Sequence, residues 1–136
     1  MAEYPEVFRV RQHFDVPQVD DVAAAVESQL AGLSLDNQVK QGQTVAVAVG
    51  SRGISNIHHI VKAIVSHLKQ LGAEPFIVPA MGSHGGGRAE GQHQLLGSIG
   101  VTEQFCECPI RSSMETVVVC DAAEGFPVHF DKHAYG

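Results

Sequence analysis

The sequence predicts a single-domain α/β fold, three layers deep around a mainly parallel sheet, on three observations. The uncharged β-branched and alanine run Thr44 to Val49 (TVAVAV) reads as a strand covered on both faces. Apolar residues then recur at helical spacing through Ile57, Ile60, Val61, Ile64, Leu68 and Leu71. A second short apolar run, residues 74 to 79 (EPFIVP), comes next. Strand, helix and strand in that order form a βαβ unit with parallel strands and a right-handed crossover. Units of this kind build Rossmann-like sheets.

The remaining elements follow along the chain. Residues 6 to 14 alternate apolar and polar positions, with Phe8 and Val10 apolar, and suggest a first strand near an edge. Asp15 and Pro17 supply a cap and a first-turn proline. Val19, Val22, Ala23, Val26, Leu30 and Leu33 form one apolar stripe, which predicts a helix from about 17 to 33. Gly50-Ser51-Arg52-Gly53 stops the strand at Val49, and a helix over about 55 to 71 ends where Gly72 can cap it. The strand at 74 to 79 runs into a polar, glycine-rich loop from Met81 to Gly87. A short helix over about 88 to 99 carries Leu95, Leu96 and Ile99. Met114 to Cys120 (METVVVC) reads as another buried strand, and Phe126 to Phe130 as an alternating one after the Glu124-Gly125 turn.

Composition narrows the function. The 136 residues fit one domain, and 44% hydrophobic with 18% charged residues is ordinary for a globular chain. No apolar run approaches the roughly 20 residues of a membrane span. The first residues lack the basic patch and apolar stretch of a secretory signal. A cytoplasmic address and no membrane partner are therefore expected. Nine basic against 15 acidic residues give a net charge of −6 with no Lys/Arg stripe, which argues against a nucleic-acid partner. Cys106, Cys108 and Cys120 are odd in number, so reduced and mostly buried thiols are expected rather than a disulfide framework. Of the eight histidines, His58 and His59 are adjacent and point about 100° apart on a helix, so they cannot share a face. His129 and His133 have no ligand partner at a recognisable interval, and no metal site is assigned.

In open parallel sheets, ligands bind outside the carboxyl ends of the strands. Arg52 follows Val49 by three residues and His84 follows Pro79 by five, so both should overhang one crevice. An arginine between glycines can grip a carboxylate through two parallel hydrogen bonds, although a structural ion pair would also account for it. His84, set in Gly-Ser-His-Gly-Gly-Gly, suits proton transfer near neutral pH; a surface histidine without function is the plainer alternative. The glycine run also fits an anion nest, without the Lys-Ser/Thr ending of a P-loop or the dinucleotide fingerprint. Three functions thus stay open: an enzyme part, a non-catalytic nucleotide- or anion-binding module, and a histidine-rich metal-binding protein.

Three runs carry a resemblance to a family. They are Val47 to Ile54 (VAVGSRGI), Gly72 to Gly86 (GAEPFIVPAMGSHGG) and Cys108 to Glu115 (CPIRSSME). Together they resemble the amino-terminal domain of lactate-racemase-like proteins that depend on a nickel-pincer nucleotide, and the likeness spans nearly the whole chain. The resemblance implies a 2-hydroxy acid racemase or epimerase. Arg52 would bind the substrate carboxylate, with Ser51 and Ser83 also on the substrate. His84 would remove the hydroxyl proton while the α-hydrogen passes as hydride to the cofactor. Gly82, Gly85 and Gly86 would touch that cofactor, a nickel-pincer nucleotide. Lactate-specific members carry an acidic residue where this chain has Val49, so the implied substrate is a 2-hydroxy acid in general. The family's main cofactor-anchoring residues would lie beyond Gly136. The chain is therefore expected to be part of a longer two-domain enzyme, inactive alone, whose partner is the carboxy-terminal domain or a second copy.

Overall fold

The computed structural model describes residues 7–51 and 53–135, so Arg52 lies outside the described residues. The centre of the molecule is the βαβ unit. β1 (Thr44–Val49) pairs in parallel with β2 (Glu74–Pro79), from Thr44 opposite Glu74 to Val49 opposite Pro79. The connecting helix α2 (Ile57–Gln70) buries Val61, Val65, His67 and Leu68; of the predicted stripe Val61 and Leu68 are buried and Ile57, Ile60 and Ile64 partly so, while Val65 and His67 were not part of it. Gly72 ends it at φ 83°, donating its N–H to Lys69 O, because only glycine takes that left-handed cap without strain.

The expected three-layer, mainly parallel Rossmann-like sheet is not what forms. The parallel sheet has two strands, extended by a single bridge between Ile77 and Ile110, and a second, separate sheet is antiparallel. It consists of β3 (Thr116–Asp121) and β4 (Pro127–Asp131). Connection length decides this. Parallel neighbours need a crossover of a dozen or more residues, whereas residues 122–126 join β3 to β4 through a turn closed by Gly125 N–H on Ala122 O. Nor is β3 buried as expected: Val118 is 57% exposed and Val119 38%. The β-branched run is strand-forming, but its apolar face is not set against the core.

The amino-terminal part differs too. Residues 7–20 form no strand and lie exposed, with Phe8 at 85% and Val10 at 80%. Alternation alone does not make a strand without an edge to pair with. The first helix, α1 (Val22–Ala31), starts later than predicted because Asp21, not Asp15, caps it by accepting from Ala24 N–H at 2.9 Å. α1 packs on α2, where Glu27 meets the buried His67 at 2.8 Å.

α3 (Ala89–Ser98) and α4 (Glu103–Cys106) complete the body, and α5 (Lys132–Tyr135) follows β4. One core joins Val49, Val61, Val65, Ile77, Met81, Leu96, Val101, Cys106, Cys108 and Ile110. Cys106 and Cys108 are buried as expected, whereas Cys120 is exposed on the hairpin. Among the described residues no helix is long and apolar enough to cross a membrane.

Candidate functional site

The parallel register carries the loops after β1 and β2 to the same edge. Ala80 N–H donates to Val49 O at 2.8 Å, continuing the ladder one step past Pro79. A Cβ on Gly50 would sit 3.9 Å from Ala80 O, so the two chains still run together there. One residue further, Ser51 Oγ and His84 Nδ1 form a partly buried hydrogen bond of 2.5 Å. The two loops thus meet through Ser51 and His84; the other half of the predicted convergence, Arg52, lies outside the described residues.

The loop that carries His84 is a tight turn over His84–Gly87, with Gly85 at φ 65° and Gly86 at φ 70°. Two consecutive left-handed residues demand glycine. Gly85 has a second reason to lack a side chain: a Cβ there would stand 2.4 Å from the carbonyl carbon of Gly91 in α3. Gly82 is also left-handed, at φ 59°, with open space where its side chain would be. Ser83 is exposed, and its carbonyl accepts from Gly87 N–H at 3.0 Å. His84 N–H is itself donated to Met81 O at 3.2 Å. Two N–H groups of the loop are thus used inside it.

Sequence reasoning missed two contributors to this site. Gln92 is 4% exposed and donates its side-chain N–H to Gly82 O at 2.8 Å. The other is the segment after α4. Ile77 N–H donates to Pro109 O and Arg111 N–H to Ile77 O, both at 2.8 Å, so residues 109–111 lie along β2 as a third parallel stretch. It delivers Ser112 to the same edge, where its hydroxyl donates to Ala89 O at 2.6 Å. A helix-interior glycine, Gly91, was the available sign of close packing at the first of these.

Elsewhere the chemistry-bearing residues have structural work. Contrary to the expectation that adjacent residues cannot share a face, the His58 and His59 rings lie 4.3 Å apart and both pack against Phe105, at 5.2 and 5.4 Å. Burial pushes the Cys106 and Cys108 thiols up, which keeps them protonated and poor metal ligands. Among the described residues no three His, Cys, Asp or Glu side chains gather as a metal cage. The histidine-rich metal alternative thus gains no support, and a nickel cofactor finds no ligand set among these residues. Comparison with protein-family models, curated proteins and solved structures finds no match for the chain.

Proposed function

We propose that this chain is the substrate-handling part of a 2-hydroxy acid racemase or epimerase, similar to the nickel-pincer-nucleotide-dependent family that its motifs resemble. The observation that supports it best is the Ser51–His84 hydrogen bond at the carboxyl edge of two parallel strands. Ser51 is better read as the residue that orients His84 than as a direct substrate contact. The His84 imidazole, held at Nδ1 by Ser51, is the proposed group for proton exchange with the substrate hydroxyl. Whether the serine donates to Nδ1 or accepts from Nδ1–H follows from the tautomer. Arg52, adjacent to Ser51 in the chain, is the candidate carboxylate grip. Chemistry at the α-carbon also needs an acceptor for its hydrogen, and these side chains supply none.

The reading is tested by titrating the chain with each enantiomer of lactate and of 2-hydroxybutyrate while following the His84 and Ser51 NMR signals. A racemase must accept both hands, so both enantiomers should shift the signals saturably, and propionate, which lacks the hydroxyl, should bind more weakly. Arg52→Lys should weaken binding by about tenfold or more, because the two-pronged carboxylate contact is lost. No saturable shift with any of the acids would sink the proposal.

A further inference from the structure

A buried glutamine on α3, whose other buried residue is Leu96, calls for an explanation. The position packs like its neighbour one turn on, Leu96, which is 0% exposed, and an apolar side chain would fill it without needing a partner. Gln92 instead gives its amide N–H to Gly82 O, a group that only accepts. That carbonyl lies two residues before His84. One residue earlier on the helix, Gly91 touches the loop from the other side: a Cβ there would fall 2.0 Å from Gly85 O. The loop is thus held at both flanks of His84, by a hydrogen bond at 82 and by backbone contact at 85. The helix in turn is tied at its first residue by Ser112 Oγ on Ala89 O, so the hold is anchored to the third parallel stretch.

We infer that Gln92 and Gly91 are positioning residues that set the His84 ring against Ser51. The inference rests on reading His84 as the proton-handling group. Neither residue touches a substrate; both act through the loop. The reason for a glutamine is directional: packing alone fixes the depth of a loop, whereas a hydrogen bond to one carbonyl also fixes its rotation.

The test reads the ring itself. Histidine-labelled chain gives ring nitrogen signals, and those of His84 are identified by their loss in His84→Gln. Ser51→Ala provides the spectrum of a ring released from its partner. Gln92→Met keeps the length of the side chain and removes the donor. It should move the His84 signals toward those of Ser51→Ala and change the tautomer ratio by about threefold or more, the scale of one net hydrogen bond. Gly91→Ala, which pushes the loop rather than releasing it, should displace the same signals. Gln94→Met, on the exposed side of the helix, should leave them in place. If Gln92→Met folds and the His84 signals stay at their original positions, the inference is overturned. If it does not fold, Gly91→Ala decides in the same way. A chain whose ring responds to Gln92→Met yet binds no 2-hydroxy acid would keep this inference and lose the function proposed above.

Discussion

Two glycines of α3 offer a matched experiment, because the same substitution should have opposite signs at each. Gly97 has nothing within 4 Å of where a Cβ would stand. Alanine there gains helix propensity, about 0.5 to 1 kcal/mol, by restricting the unfolded chain. Gly91 receives the same propensity gain, but its Cβ would stand 2.0 Å from Gly85 O and 2.8 Å from Gly85 C, inside any permissible contact. The obstacle is backbone, and the loop must move to admit the methyl. Overpacking of this kind costs about 1 to 3 kcal/mol. The net for Gly91→Ala is therefore a loss of about 0 to 2.5 kcal/mol, centred near 1. For a chain of this size each kcal/mol moves Tm by roughly 3 to 5 °C. Scanning calorimetry or circular dichroism melts should then show Gly97→Ala above the parent and Gly91→Ala below it. A Gly91→Ala protein as stabilised as Gly97→Ala would refute the close approach of helix and loop, and with it one of the two grips on His84.

Other outcomes follow from burial and charge. A thiol reagent should modify the exposed Cys120 rapidly in the native chain, and Cys106 and Cys108 only on unfolding, since burial both shields these two and raises their pKa values. Three thiols reacting at one rate would contradict the placement of the core. At the base of the hairpin, the Lys132 ammonium beside Glu115 lowers the carboxyl pKa and is itself raised in return. A depressed carboxylate stabilises above its ordinary value of 4.5 and loses that contribution as pH falls through the lowered folded value. A raised ammonium stabilises below its ordinary 10.5 and loses its contribution as pH rises through the raised folded value. Protection factors of the β3 and β4 amides, in which the intrinsic pH dependence of exchange is divided out, should thus be highest between those limits, and Glu115→Gln should remove the acid-side dependence. Both groups are fully exposed, so the effect should also fade as salt is added.

What was legible in the sequence follows a physical divide. β1, α2, β2 and α3 could be read because each buries its apolar face against the others, and burial is what periodicity records. In α2 the face is right, with Val61 and Leu68 buried as the spacing predicts, but it is centred one step over, on Val65 and His67, with Ile60 and Ile64 only partly buried. The segments that differ are those whose pattern promises burial that the fold does not supply. Met114 to Cys120 reads as a buried strand, yet the short turn after it commits the segment to a hairpin outside the main core. Phe8 and Val10 alternate correctly and have no partner strand. At the site, the meeting of the 51 and 84 loops was legible because parallel strands send their loops to one edge. Gln92 was not, because in Ala-Glu-Gly-Gln-His-Gln a glutamine looks like any solvated helix residue, and only three-dimensional packing shows that it faces inward.

The Ser51–His84 contact also admits a second chemistry, a serine nucleophile with a histidine base, and the two differ in what else they require. Acyl transfer needs preorganised donors where an oxyanion will form, usually backbone N–H groups beside the nucleophile. Two N–H groups of the histidine loop are spent within it, His84 on Met81 O and Gly87 on Ser83 O. Its left-handed glycines serve tight turning and contact with α3. What the loop is built to do is hold one imidazole at a fixed angle, with a serine on one ring nitrogen and a buried glutamine behind the turn. Under the function proposed above, that imidazole is a base that takes and returns a proton without forming a bond to carbon. In such a site the serine is a support, and its removal should blur the direction of proton transfer rather than delete the reacting atom.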